Sequence, residues 1–163
     1  MIEIPLPELR ENLAACLSVQ RWIDDIVLAA PFDDVAELLA AAYDAATPLS
    51  VAEIDEAIAH HPRIGEKPTG EGAAQDFSRS EQASLDEDDA ELAAAIAAGN
   101  KAYEDRFGRV FIIRAAGRTR AEILEELERR LELPNSTELE IVGEQLRDIA
   151  LIRLEKFYGR EPE

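Results

Sequence analysis

The chain has 163 residues, 47% of them hydrophobic, and its 35 Asp and Glu residues outnumber 17 Lys and Arg residues to give a formal net charge of −18. This acidity excludes nucleic acid and anionic membrane surfaces as expected partners, because binding to phosphates needs an excess of cations. The length and the apolar content are typical of a single globular domain over residues 1–163.

Abundant Ala, Glu and Leu, with only 6% aromatic residues, predict an all-α fold, a single-domain bundle of about seven or eight helices. Apolar periodicity and capping residues place these helices, in chain order, near 8–16, 18–30, 35–46, 51–60, 85–107, 120–133 and 138–158. Asp33 or Asp34 is expected to cap the third helix, and Ser50, Thr119 and Thr137 each begin a capping box with Glu three positions later.

Two segments depart from the helical pattern. Residues 65–76 hold three glycines and few apolar side chains, which predicts an exposed loop. Residues 110–113 are apolar and largely β-branched but have no partner strand elsewhere, so an extended, buried connector is expected near 109–116. No run reaches the roughly 18 apolar residues of a membrane span. The lone Cys16 cannot close an internal disulfide, so we expect a core cysteine in a cytoplasmic protein.

Arg153 interrupts the apolar stripe of the last predicted helix. On a helical wheel with Val142 at 0°, Ile149 lies near roughly −20° and Arg153 near roughly 20°, by the period of 3.6. Leu146 falls on the same face, so the guanidinium is expected to be buried and to need a polar partner. Three interpretations stay open: an internal ion pair, a side chain that reaches the surface near the helix end, and contact with a carboxylate or urea-like ligand.

His61 precedes Pro62, and a residue before proline is disfavoured in the α conformation, so His61 is expected where the fourth helix ends. Histidine is the side chain most easily set for proton transfer near neutral pH, which makes a general acid one interpretation. The alternative is a surface or core-edge histidine with one hydrogen bond. The adjacent His60 points elsewhere and the chain has no third histidine, so no metal site is expected.

The segment Ser78-Arg-Ser-Glu81-Gln82 fits a helix-capping box. A purely structural cap is one interpretation. The other is that the same turn directs free backbone N–H groups at an anionic ligand, and the two are compatible. The glycines at 65–72 lack the Gly-Lys-Ser/Thr ending of a phosphate-binding loop, so no nucleotide site is expected.

Four motifs occur in a specific order along the chain. They are His61-Pro-Arg-Ile-Gly65, Ser78-x-x-Glu81-Gln82, Asn100-x-x-Tyr103-x-x-x-Phe107-Gly-x-x-Phe111-Ile112 and Ile152-Arg153-Leu154. In order and spacing they resemble the OHCU decarboxylase family, where OHCU is 2-oxo-4-hydroxy-4-carboxy-5-ureidoimidazoline. Trp22, the Pro31-Phe32 pair and Glu138 extend the resemblance over nearly the whole chain.

This resemblance implies an all-α enzyme of urate breakdown that needs no cofactor or metal, acts after urate oxidase and 5-hydroxyisourate hydrolase, and forms homodimers. It would convert OHCU to (S)-allantoin and carbon dioxide. By position, His61 resembles the catalytic histidine, Glu81 the second catalytic residue and Arg153 a substrate-binding arginine. The substrate-contacting positions implied by the resemblance are Pro62, Ser78, Arg79, Ser80, Glu81, Gln82, Phe111, Ile112, Ile113, Arg114 and Ala115.

Two other functions stay open on the sequence. One is a non-catalytic helical module whose acidic faces bind a basic partner, and the other is a decarboxylase or hydrolase of a related ureido acid. For the enzyme, the cations Arg63, Lys67, Arg79 and Arg153 predict a small positive pocket within a negative surface.

Overall fold

The structure is a computed structural model that describes residues 4–59 and 90–159. All seven helices in these two ranges are α-helices, which confirms the all-α prediction. In chain order they are α1 Leu6–Cys16, α2 Gln20–Ala29, α3 Val35–Ala45, α4 Val51–Ile58, α5 Ala90–Phe107, α6 Arg120–Leu131 and α7 Asn135–Tyr158. None of the described helices combines the length and the apolar content needed to cross a membrane.

Contacts divide the chain into two compact units, with the division inside α7 between Val142 and Gly143. The first unit contains α1 to α4 and most of α7, and the second contains α5, α6 and the first two turns of α7. The prediction of a single domain over residues 1–163 stays a prediction.

In the first unit, α2 packs against both α1 and α3. Trp22 is fully buried between these elements, and its indole Nε1–H donates to the carbonyl of Ala42 at 3.0 Å. This bond satisfies the polar atom that would otherwise make burial of the ring costly. Cys16 is also buried, as expected.

Capping residues set the starts of two helices in the first unit. The side chain of Asp34 accepts a hydrogen bond from the backbone N–H of Glu37 at 2.8 Å, which identifies Asp34 as the cap of α3. At the start of α4, both reciprocal bonds of the Ser50–Glu53 capping box are present. Each cap satisfies N–H groups that the first turn of a helix leaves without a partner.

Arg21 joins three elements of the first unit at its surface. Its Nε donates to Glu53 at 2.6 Å, and its Nη1 donates to Asp25 at 2.9 Å and to the carbonyl of Ala45 at 2.8 Å. The bond with Arg21 is the main cause that lowers the pKa of Glu53 to about 2. The Glu53 carboxylate therefore links the start of α4 to α2.

In the second unit, α5 packs against α6 at a glycine. A Cβ atom at Gly99 would lie 2.5 Å from Cδ2 of Leu127, so the missing side chain permits this close helix approach. Helix α5 ends at Phe107 and is followed by Gly108, whose φ of 72° is the left-handed conformation that glycine adopts without strain. The close packing of Leu127 thus explains why Gly99 is found inside a long helix.

The structure corrects two helix starts. Helix α7 begins at Asn135, directly after Pro134, and not at a Thr137 capping box; the N–H of Glu138 donates to the carbonyl of Pro134 at 3.0 Å. Helix α2 begins at Gln20 and not at Ser18, whose hydroxyl instead donates back to Ala14 in α1. The expected loop at 65–76 and the expected start of the fifth helix at Leu85 lie outside the described residues.

Candidate active site

The residues proposed for the active site fall into three groups. His61, Pro62 and Ser78 to Gln82 lie outside the described residues, together with Arg63 and Lys67. Residues 111–115 lie in the second unit and Arg153 lies in the first. Among the described site residues, the structure brings together the consecutive members of the 111–115 segment.

Residues 109–116 connect α5 to α6, and residues 110–115 belong to no helix or strand, which agrees with the predicted connector. Phe111, Ile112, Ile113 and Ala115 are buried, and Arg114 is half-buried. The ring of Phe111 packs edge-on against the ring of Tyr103, with 5.2 Å between their centroids. A buried segment without its own hydrogen-bond ladder needs other partners for its backbone groups.

Hydrogen bonds hold the connector at both ends. The N–H of Gly108 donates to the carbonyl of Glu104 at 2.8 Å, which closes α5. At the other end, the N–H of Arg118 donates to the carbonyl of Ala115 at 3.1 Å. Nearby, Nη1 of Arg114 donates to the carbonyl of Ala116 at 3.0 Å, so this side chain folds back along its own segment.

The middle of the connector is held by a buried polar network. Nη1 of Arg130, in α6, donates to the carbonyl of Ile112 at 2.8 Å, and the guanidinium lies over the Phe111 ring at 4.6 Å from its centroid. The Nε of Arg130 donates to both carboxylate oxygens of Glu138, at 2.8 and 3.1 Å, and Nη2 donates to the same carboxylate. The hydroxyl of Tyr103 also donates to Glu138, at 2.6 Å.

Three side chains of this network, Arg130, Glu138 and Tyr103, are 0% exposed. Burial of one charge alone would cost several kcal/mol by general estimates, and the opposite charge with its hydrogen bonds offsets that cost. Glu138 also lies in the first turn of α7, where the helix dipole favours an anion. Burial, followed by the bond to Glu138, raises the pKa of Tyr103 far above its ordinary value, so this hydroxyl stays a donor.

Sequence reasoning missed Arg130, although a signal for it was present. Relative to Ile123 at 0°, Leu127 lies near roughly 40° and Arg130 near roughly −20° at 100° per residue. All three are fully buried in the structure. The same calculation that identified Arg153 would therefore have identified Arg130.

Arg153 faces the interior of the first unit, as predicted, with 4% of its surface exposed. Its Nη1 donates to the carbonyl of Ala15 at 3.3 Å, in the last turn of α1. That turn contains no basic residue of its own, so Arg153 supplies the positive charge that the negative end of the helix dipole favours. This contact supports an internal polar role for Arg153, and its contact with a substrate stays a prediction.

Positive charge is concentrated around the connector. Residues 106–120 contain five arginines and no Asp or Glu, in a chain whose net charge is −18. The guanidinium of Arg109 lies 5.2 Å from the centroid of the Phe107 ring. Among the described residues, no group of three or more His, Cys, Asp or Glu side chains is placed to hold a metal ion.

Several solved structures share this architecture. One is the crystal structure of an OHCU decarboxylase in the presence of (S)-allantoin, with a TM-score of 0.77 and 26% identity over 92% of this chain and 99% of that chain. Another is an (S)-allantoin synthase, with a TM-score of 0.66 and 20% identity over 94% of this chain and 50% of that one, a likeness that concerns the fold.

The sequence comparisons agree with this likeness. The uric acid degradation bifunctional protein TTL of Arabidopsis thaliana is 36% identical over 108 residues, which make up 64% of this chain. These residues span 33% of that protein, so the chain matches about a third of the curated relative's length. Residues 3–155 match the sequence model of the family described as OHCU decarboxylase. The chain therefore belongs to the OHCU decarboxylase family.

Proposed function

We propose that this protein decarboxylates OHCU to (S)-allantoin and carbon dioxide, without a cofactor. The observation that carries the proposal is the family match over residues 3–155. The likeness to an OHCU decarboxylase solved with (S)-allantoin supports it, because that likeness extends over nearly the full length of both chains.

In the proposed reaction, the bond between the ring carbon and the carboxylate breaks and carbon dioxide leaves. The electron pair that stays on the ring carbon delocalises into the adjacent unsaturated system and then accepts a proton on one face. Protonated His61 supplies that proton, and Glu81 with His61 orients the substrate hydroxyl. Arg153 binds a carbonyl or a carboxylate of the substrate through its planar fork. Backbone groups of residues 112–115 bind the ureido arm.

The charge distribution fits an anionic substrate. A chain with a net charge of −18 repels a carboxylate at long range, so the site needs local cations. Five arginines lie within residues 106–120 in the second unit, and Arg153 is a buried arginine of the first unit. We propose that Arg63, Lys67 and Arg79 also contribute positive charge to substrate binding.

The experiment that tests the function is circular dichroism at an allantoin band during turnover of urate by urate oxidase and 5-hydroxyisourate hydrolase, with and without this protein. We expect an enantiomeric signal only with this protein, since protonation in solution yields racemic allantoin. The same signal in the presence of EDTA is expected for cofactor-free chemistry. No enantiomeric signal would contradict the proposed activity and would favour the interaction module or a related ureido acid.

The role of His61 is tested by His61→Asn, with His60→Asn as the matched control on the neighbouring residue. We expect His61→Asn to lower the rate of (S)-allantoin formation by roughly 100-fold or more, since general acid catalysis typically contributes about 100-fold to 10,000-fold. His60→Asn should stay within about threefold of the wild-type rate, a difference under 1 kcal/mol in the barrier. Near-normal (S)-allantoin formation by folded His61→Asn would exclude the acid role.

Two further properties belong to the proposal. The protein is proposed to be a homodimer, which light scattering coupled to gel filtration measures directly. It is also proposed to act in the cytoplasm, where the lone Cys16 would stay reduced.

A further inference from the structure

We infer that Arg130 is a positioning residue for substrate binding, which acts by fixing the carbonyl of Ile112 while Glu138 holds its guanidinium. The inference rests on the proposed function, in which backbone groups of residues 112–115 bind the substrate. Arg130 itself lies in the interior with no exposed surface, so its influence on the substrate would pass through the connector.

The geometry divides the donors of Arg130 between two tasks. Nε and Nη2 face the Glu138 carboxylate, while Nη1 faces the Ile112 carbonyl at 2.8 Å. Because the guanidinium is rigid and planar, fixing one edge on a carboxylate also fixes the direction of the remaining N–H groups. The carbonyl of Ile112 therefore has one favoured position, and the Phe111 ring beside it packs on the face of the same guanidinium.

The hydrogen bond from Arg130 to the Ile112 carbonyl determines the orientation of the peptide plane between Ile112 and Ile113. In a trans peptide unit, the C=O of one residue and the N–H of the next point in opposite directions. With the Ile112 carbonyl held on Arg130, the N–H of Ile113 is directed away from the buried ion pair. Loss of the grip would let this plane rotate, and the donors and acceptors offered by residues 112–115 would no longer be pre-oriented for a ligand.

Fold stability alone is a weak reason for a buried ion pair at this place. Replacement of such a pair by well-packed apolar residues is often neutral or stabilising. Apolar side chains could thus join α6 to α7, as Leu127 already joins α6 to α5. What apolar side chains do not provide is a donor for the Ile112 carbonyl, and this donor is what the inference assigns to Arg130.

The main test is the apolar triple variant Tyr103→Phe/Arg130→Met/Glu138→Leu, which removes all polar groups of the network together. We expect it to fold, because no charge is left buried without its partner. For OHCU turnover, its KM should rise by about tenfold while kcat stays within about threefold, the pattern of lost ground-state binding. Hydrogen–deuterium exchange of the free protein should be faster in peptides covering residues 109–116.

Two single variants separate the hydrogen bond to the Ile112 carbonyl from the other polar contacts of Glu138. In Arg130→Lys, one ammonium must serve both Glu138 and Ile112, so we expect a rise in KM similar to that of the triple variant. Tyr103→Phe is the matched control, since it removes a bond to Glu138 and leaves Arg130 with its bonds to Glu138 and to Ile112. Its KM should stay within about twofold of wild type, and exchange at 109–116 should be unchanged, because the Ile112 carbonyl keeps its donor.

The outcomes distinguish this inference from the proposed function. A wild-type protein without OHCU turnover would overturn both the activity and the substrate-binding role of Arg130, whereas the exchange measurement would still report the grip on the connector. An active wild type together with a folded triple variant of unchanged KM would overturn the inference alone. Failure of the triple variant to fold would also overturn it, because the ion pair would then be required for the fold itself.

Discussion

Two buried arginines, one in each unit, meet different partners. Arg130 in the second unit lies against the Glu138 carboxylate, so its charge is balanced inside the protein. Arg153 in the first unit donates to the carbonyl of Ala15 in the last turn of α1, where the negative end of the helix dipole favours a cation. The comparison indicates that burial of an arginine does not by itself reveal its role. Arg130 organises the chain through a carboxylate partner, whereas we propose that Arg153 also binds the substrate.

The largest expected effect on stability comes from removing the carboxylate that pairs with Arg130. Glu138→Ala would leave a fully buried guanidinium without its carboxylate, and we expect it to lower the free energy of unfolding by about 3–5 kcal/mol. Urea unfolding followed by far-UV circular dichroism measures this loss. Trp22 is the only tryptophan and lies in the first unit, so its fluorescence reports whether that unit unfolds separately.

Glu140→Ala is the matched control for this prediction. Glu140 lies two residues further along α7 and is exposed, so its removal should change the free energy of unfolding by less than about 0.5 kcal/mol. If Glu138→Ala lowered the free energy of unfolding by less than about 1 kcal/mol, water or a rearranged side chain would have replaced Glu138 as the partner of Arg130. The distinction between the two arginines would then no longer hold.

Arg153 should show the reverse pattern, with a large effect on activity and a smaller one on stability. Arg153→Met keeps the apolar stem and removes the charge, so we expect kcat/KM for OHCU to fall by about 100-fold, or about 2.7 kcal/mol of transition-state binding. The free energy of unfolding should fall by no more than about 1.5–3 kcal/mol, the range of a hydrogen bond made by a charged group, which is less than the loss expected for Glu138→Ala. Coupled turnover and urea unfolding of the same preparation measure the two quantities.

Arg147→Met provides the matched control on α7. Arg147 contacts Asp148 at 3.1 Å and lies over the Tyr43 ring at 4.5 Å, contacts that belong to the surface of the first unit. Its variant should keep kcat/KM within about twofold of wild type, as expected for a weak partly exposed contact. If folded Arg153→Met kept both kcat and KM, Arg153 would be only a partner for the end of α1.

Sequence reasoning succeeded where a local rule was sufficient. The period of 3.6 residues placed Arg153 on a buried face, and the capping boxes at Ser50 and Thr119 marked the starts of α4 and α6. The β-branched run at 110–113 indicated the connector because it had no partner strand. Each of these features depends on residues within about three helical turns of one another.

The parts that were missed depend on contacts between elements. Arg130 and Glu138 are on different helices separated by Pro134, and no local pairing rule joins them. The start of α7 was misplaced because the capping-box pattern at Thr137 outweighed the simpler signal of a proline just before the helix. Nη1 of Arg130 donates to the backbone carbonyl of Ile112. Every residue has such a carbonyl, so the sequence gives no signal for this contact.

The smallest expected effect concerns a third arginine, Arg21, whose ion pair with Glu53 is partly exposed. The bond to Arg21 lowers the pKa of Glu53 from its usual 4.5 to about 2, so the ionised form stabilises the fold above pH 4.5 and this contribution is lost as pH falls towards 2. Glu53→Gln should therefore destabilise the first unit by up to about 1 kcal/mol at pH 7, as for a partly exposed ion pair, and by less near pH 2. Trp22 fluorescence during urea unfolding at several pH values measures the difference, with Glu140→Gln as the exposed control. A Glu53→Gln effect of the same size at pH 7 and at pH 2 would mean that the charge of Glu53 contributes nothing, since Gln can also complete the capping box.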